Sequence, residues 1–192
     1  MGVRTGMGNG YVINVMSDDR PGIVAGVSAA ISDMGGNIES CSQTVLDGYF
    51  TLILTFTLPV QWEIPELMKN FAAAEGLHDC QFMIRTMKDL PRLPEKKNPN
   101  VFVITAFGPD RKSIVAAFSQ YLAGKEINIL DLYGNITADN SFVLISQVEV
   151  NPKSDVKNLQ LDLEELGEEL GFTVRLQHNN IFIATNQLRL DN

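Results

Sequence analysis

Two short polar loops carry the residues whose types and spacing could do chemistry. The first is "SDDRPGIV", Ser17 to Val24, and the second is "GPDRKSIV", Gly108 to Val115. Each runs straight into an apolar helix pattern. At such a boundary the first backbone N–H groups have no helical partner, and the positive end of the helix dipole adds to their pull on an anion. Gly22 leaves that backbone uncovered. Asp19 offers a carboxylate to an ammonium group, and Asn37 offers both a donor and an acceptor. The loop and Asn37 are expected at the same end of one sheet, where together they would hold a zwitterion such as a free amino acid. Each residue also has an ordinary reading. Asp18 and Asp19 suit helix capping, Pro21 suits the first helical position, and Asn37 suits the turn after Gly35-Gly36. Arg20 reads as a solvated side chain, held extended by the proline after it.

Other chemistries find little support. The chain of 192 residues has a formal net charge of −8, so direct nucleic-acid binding is not expected. An anionic membrane surface is disfavoured for the same reason. Cys41 and Cys80 form no C-x-x-C pair, and they read as reduced thiols of a cytoplasmic protein with no metal site and no cofactor. No apolar run is long enough to span a bilayer. Gly6, Gly8 and Gly10 are spaced like a dinucleotide loop, but no strand precedes them, and residues 1–9 read as a flexible tail. His78 and His178 stand alone, and no nucleophile–base pair is visible, so no catalytic residue is expected.

The elements that must position the loops are written twice. A shift of ninety-one positions carries Asp19-Arg20 onto Asp110-Arg111, Ile23-Val24-Ala25 onto Ile114-Val115-Ala116, and Asn37-Ile38 onto Asn128-Ile129. One inserted residue later, Phe50 and Leu52 fall on Phe142 and Leu144. Each unit is roughly eighty residues, a plausible small domain. The expected bounds are 10–88 and 101–192, with a proline-containing linker over 89–100.

Each unit reads as strand, helix, strand, strand, helix, strand. "YVINVM" and "VFVITAF" are the first strands. Ile23, Val24, Val27, Ile31 and Met34 predict one apolar helix face, echoed by Ile114, Val115, Phe118 and Leu122. Gly35-Gly36 and Gly124 read as helix stops. "LDG" at Leu46 to Gly48 predicts a hairpin, after which Phe50, Leu52, Leu54, Phe56 and Leu58 alternate with Tyr49, Thr51, Ile53, Thr55 and Thr57. The second helices carry Leu67, Met68 and Phe71, and Leu159, Leu163, Leu166 and Leu170. This βαββαβ order predicts an α+β, ferredoxin-like sandwich with antiparallel sheets and both helices on one face. The other sheet face is half apolar, so the second unit or a second chain should cover it.

The run "DDRPGIVAGVSAAISDMGGNIESCSQTVLDGYFTLIL" resembles the ACT domain, a small amino-acid-sensing module. The D-R-P-G-[IV] loop and the G-x-N-I entry to the second strand carry the likeness, which extends over both units, Tyr11 to His178. Two tandem units with such a linker resemble the glycine cleavage system transcriptional repressors and their relatives. The C-terminus is similar to small free-standing ACT proteins, which implies a short terminal helix over 180–188. The resemblance implies a small amino acid bound at an interface between ACT units. Its residues here would be Asp19, Arg20, Pro21, Gly22, Ile23, Val24, Gly35, Asn37 and Ile38. A second site would use Asp110, Ser113, Ile114 and Asn128. There Lys112-Ser113 replace Pro-Gly and Glu126 replaces Gly35, and Ser113 adds a side chain where the backbone should approach closely.

The function this implies is non-enzymatic. A homodimer would respond to an amino acid and act through another protein, with no direct nucleic-acid or membrane contact. A regulatory subunit acting on a biosynthetic enzyme in trans is the alternative. An enzyme of the acylphosphatase kind, with Arg20 and Asn37, lacks the glycine-rich phosphate loop, and Asp18-Asp19 would repel phosphate.

Overall fold

The structure, a computed structural model, describes residues 9–87 and 100–187. The tail expected over 1–9 (save Asn9), the linker expected over 89–100 (save Asn100) and Leu188 lie outside the described residues. The chain divides into two compact units, one on either side of the 88–99 stretch.

Unit one runs β1 (Asn9–Asp18), α1 (Ile23–Asp33), β2 (Asn37–Leu46), β3 (Tyr49–Leu58), α2 (Ile64–Ala73) and β4 (Gln81–Thr86). Unit two repeats this as β5 (Val101–Pro109), α3 (Ile114–Gly124), β6 (Asn128–Ile136), β7 (Ser141–Glu149), α4 (Val156–Leu170) and β8 (Thr173–His178). The terminal helix α5 (Asn179–Gln187) follows and lies against β5 and β8. The sheets have order β2-β3-β1-β4 and β6-β7-β5-β8, with every pairing antiparallel. The fold is the α+β, ferredoxin-like βαββαβ sandwich, twice.

Hydrophobic alternation dictates which sheet face is dry. Phe50, Leu52, Leu54, Phe56 and Leu58 of β3 are all buried, with Tyr11, Ile13 and Val15 of β1 beside them. Phe56 stacks on Tyr11 at 5.4 Å between ring centroids and meets Phe71 of α2 edge-on at 5.9 Å. Each such side chain removed from water contributes roughly 1.5–3 kcal/mol. At the expected hairpin, Asp47 and Gly48 both take positive φ, 50° and 83°, the pair that suits a two-residue turn between twisted strands.

The helix faces differ in detail from expectation. Val24 and Val115 are exposed, 45% and 39%, and Ala30 takes a core place in α1 instead. Both valines adjoin the buried first residue of their helix, and one step of about 100° turns the next side chain away from the sheet. Met68 points outward by the same geometry, next to buried Leu67. In α4, Leu159 and Leu163 are buried while Leu166 and Leu170 are half-buried at the edge of the core. α3 ends at Gly124, but that glycine does not take the left-handed conformation. The left-handed residue is Glu126, at φ 55°, where unit one has Gly35 at 72°.

Candidate functional site

Helix α1 begins at Ile23, two residues after Pro21, so the proline precedes the helix rather than occupying its first position. Gly22 is the cap residue, at φ 102° and ψ −19°. A side chain built on it would meet nothing within 4 Å, so the glycine is there for its dihedral and not for close approach. Ser113 takes the equivalent left-handed conformation at φ 70°. The residue that departs from the motif therefore keeps the backbone path.

No side chain caps α1. Asp18 and Asp19 are exposed, and the Asp19 N–H donates to the Gly48 carbonyl at 2.8 Å, which ties the loop to the β2–β3 hairpin. The capping role expected of these acids is not what they do. α4 shows the contrast, where the Asp155 carboxylate accepts from the Lys157 and Asn158 N–H groups at 3.0 and 3.2 Å. No side chain satisfies the first turn of α1, and the loop leading into it carries the exposed Asp19 carboxylate, so this segment offers chemistry for both an anion and a cation.

Arg20 is not a solvated side chain. Its Nη2 donates to the Gly76 carbonyl at 2.8 Å, forms an ion pair with Asp79 and lies 3.8 Å from the Cys80 sulfur. The guanidinium staples the loop to the α2–β4 connection. Asp79 and Gly76 were invisible to sequence reasoning, since nothing in the spacing links them to a residue more than fifty positions away. The repeat held one signal. Unit one inserts His78-Asp79-Cys80 between Gly76-Leu77 and its last strand, whereas β8 begins directly after Gly171-Phe172. Arg111 Nη2 lies 3.7 Å from where a side chain on Gly171 would begin, and among the described residues no acid pairs with it as Asp79 does with Arg20.

The loop and Asn37 lie at opposite ends of unit one. Asp18 pairs with Tyr49, but Asn37 pairs with Thr57, which pairs with Gly10 at the other end of β1. Helix α1 has 11 residues, so it carries the chain about 16 Å back before Asn37 is reached. The expectation of one shared end fails because β1 and β2 both pair antiparallel with β3 and so run parallel to each other, and the helix joining them must return the chain to the end where β1 started. Asn37 is exposed, and its amide donates to Glu39 at 3.4 Å, as does Thr57. Gly35 is exposed at the same end, with the Pro59 ring 3.5 Å from where a side chain would begin.

Of the apolar positions, Ile23 and Ile114 belong to the cores, Ile38 packs against one, and Val24 faces outward beside the loop. The second set divides in the same way: Asp110 and Ser113 stand at one end of unit two, and Asn128, paired with Glu149, at the other. A cleft of about 680 Å³ opens between α1 and α2, lined by Gly22, Ala25, Gly26, Ala29, Asn70 and Ala73 among others. At the matching place in unit two, the Asp162 carboxylate accepts from Tyr121 at 2.9 Å and from Lys125 at 2.8 Å, bridging α3 and α4. These hydrogen bonds, Lys125's first, hold Asp162 below its ordinary 3.8. Burial, with Asp162 beside it, keeps the Tyr121 hydroxyl protonated well above its ordinary 10.

The family model of the ACT domain matches residues 11–80 and again 100–177. The chain belongs to the ACT domain family. It is similar to a UPF0237 protein of Methanocaldococcus jannaschii, 44% identical over 81 residues, which is 42% of this chain and 89% of that protein. A UPF0237 protein of Streptococcus mutans is 44% identical over 62 residues, 32% of this chain and 70% of its own length. Among solved structures, a Galdieria sulphuraria protein superposes with a TM-score of 0.73 at 24% identity, covering 88% of this chain and 98% of that one. A protein described as a candidate glycine cleavage system transcriptional repressor gives 0.61 at 18% identity, covering 91% and 100%. These two likenesses are of fold. Among the described residues no helix is long and apolar enough to cross a membrane.

Proposed function

We propose that the protein is a non-enzymatic regulator that senses a small amino acid through its ACT units and acts through protein contacts. The observation that carries this is the glycine-started helix of the D-R-P-G loop, which no side chain caps, with Asp19 exposed in the loop that leads into it. The N–H groups suit a carboxylate and Asp19 suits an ammonium. The two halves of the motif are separated within a unit, so we place the ligand between two copies. Antiparallel pairing of their β2 edges would set the loop end of one beside Asn37 of the other. Strand β2 suits this: it is an edge strand, exposed along almost its whole length, with no charge from Ser40 to Leu46. Unpaired edges without charges are templates for another strand.

Ligand binding across that boundary stabilises the pair and shifts what a partner protein meets, by its differential affinity for the two states. Control of glycine cleavage gene expression in the cytoplasm, through another protein, is the role we assign by likeness to the repressor. Unit two keeps the fold and the backbone path, and we assign it the weaker site.

A thermal-shift screen against the common amino acids tests this. A small amino acid at a hundred times its Kd should stabilise by about 2.7 kcal/mol. Asp19→Ala and Asn37→Ala should each abolish the shift. Mixing the two variants should restore it in part, because a mixed pair regains one complete site. No response to any amino acid at millimolar concentration removes the sensor reading. A response without complementation removes the placement between copies.

A further inference from the structure

The helix layer of unit one is open where that of unit two is filled. Position by position, Gln120 and Tyr121 of α3 correspond to Ala29 and Ala30 of α1, and Asp162, Glu165 and Leu166 of α4 to Asn70, Ala73 and Ala74 of α2. Unit two closes its seam with its own side chains. The Tyr121 hydroxyl and the Lys125 ammonium both donate to Asp162, and Lys125 lies 5.5 Å from the centre of the Tyr121 ring. In unit one Met34 stands in the place of Lys125, and the seam is the cleft of about 680 Å³, which runs the length of α1 from Gly22 to Asp33. Its packing requires only some of these residues to be small. A side chain on Gly26 would meet the Glu75 carbonyl at 2.7 Å. Ala25, Ala29 and Ala73 are exposed, so nothing within the unit keeps them small. The side chains of Asp33, Asn70 and Glu75 also line the cleft, and none makes a hydrogen bond or ion pair among the described residues. Asp33 ends α1, where the helix dipole disfavours a carboxylate, and no cation lines the cleft to offset it.

We infer that the cleft seats a helix of another protein, one that presents an aromatic hydroxyl and a basic side chain one turn apart. Charge selects the base. Asp33 and Glu75 line the cleft without a cation, so a basic segment is drawn in and an acidic one repelled. The filled seam of unit two selects the aromatic hydroxyl. Its ring takes the place that Ala30 leaves open, and the Asn70 carbonyl accepts the bond that Asp162 accepts from Tyr121. Shape selects the helix. Gly22, Gly26 and Ala30 form one row along α1, and Ala25, Ala29 and Asp33 a second beside it, at the spacing into which the ridges of another helix pack. No long side chain interrupts either row, so the partner backbone approaches closely. α1 has 11 residues, so the trough takes about three turns. A second copy does not supply this occupant. Its α3 carries Tyr121 and Lys125 at the required spacing, but Asp162 already holds both.

This rests on the reading that the protein acts through another protein, and it names the contact chemistry of that partner without using the amino-acid site. The probe is a capped, alanine-based peptide of about 16 residues, long enough to hold a helix, with Tyr and Lys one turn apart. It is titrated into the full chain while amide NMR shifts are followed, beside the same peptide with Glu for Lys. The shifts should fall on α1 and α2, and the Glu peptide should bind at least about tenfold more weakly. Ala29→Arg, an exposed change, should weaken binding about tenfold, while the amino-acid thermal shift and the unfolding followed by Trp62 fluorescence stay as in the wild type. Ala30→Tyr with Asn70→Asp installs the filling of unit two and should abolish binding; Ala29→Arg decides the matter if that pair misfolds. No shifts at millimolar peptide, shifts elsewhere, or equal affinity in folded Ala29→Arg overturns the inference. Free tyramine producing the shifts while the peptide produces none also overturns it, in favour of a small aromatic amine. Peptide binding without any amino-acid thermal shift supports the cleft and removes the sensor reading alone.

Discussion

The β1–α1 loop and the β5–α3 loop follow one backbone path with different side chains. Gly22 and Ser113 are both left-handed, as are Gly35 and Glu126. In unit one the strained places are filled by glycine, Arg20 is locked to Asp79, and the interhelix cleft is open. Unit two accepts left-handed Ser113 and Glu126, pairs Arg111 with no acid among the described residues, and bridges its helices through Tyr121, Asp162 and Lys125. The cores differ too. Leu54 in unit one is matched by buried Ser146, whose hydroxyl donates to the Asp131 carbonyl at 3.2 Å beside a cavity of about 10 Å³. The shared features are dihedral angles and core alternation. Those specify the fold, and they persist where the polar details of the loop have changed.

The comparison breaks most sharply at the matched core pair. Leu54→Ser should destabilise unit one by about 3 kcal/mol, through lost burial and an unfilled space, because unit one lacks the accommodation Ser146 has. Trp62 is the chain's one tryptophan, so its fluorescence during urea unfolding reports unit one alone. An effect under about 1 kcal/mol would mean that the two cores are interchangeable.

The left-handed positions come next. Gly22→Ser should cost unit one about 1 kcal/mol, with its fold unchanged, since Ser113 shows the path is open to serine. Ser113→Gly should gain about 0.5 kcal/mol in unit two, after the added freedom of the unfolded chain is deducted. A loss of several kcal/mol for Gly22→Ser would show that the loop needs glycine for more than its dihedral.

The smallest effect is expected at the paired arginines. Arg20→Ala should cost no more than about 1 kcal/mol, because the ion pair with Asp79 is partly exposed and screened. That cost should fall as salt rises. Arg111→Ala should lie closer to zero, and equal losses would mean that the Asp79 staple contributes nothing.

Much of this was legible in the sequence. The alternation through Phe50 to Leu58 and the "LDG" turn defined the hairpin, and the repeat defined two βαββαβ units. The helix faces were read one residue too wide, because Val24 and Val115 are apolar neighbours of core positions and a linear pattern does not resolve a turn of about 100°. α3 ends at Gly124 as the glycine suggests, but the left-handed place falls two residues on, at Glu126, where the geometry and not the residue type sets it. Asp79 escaped because its partner lies far along the chain.

The sequence alone determined which residues are apolar, where the backbone turns, and that the unit occurs twice. These are local properties, set by side-chain period and by the dihedrals that glycine, proline and aspartate allow. Only tertiary structure decided what meets what. Parallel alignment of β1 and β2 along β3 put Asp18 opposite Tyr49 and Asn37 opposite Thr57, so the loop and Asn37 stand about 26 Å apart along the sheet. The fold also seated Arg20 on Asp79, because contacts between distant segments depend on strand order, and no local pattern encodes that order.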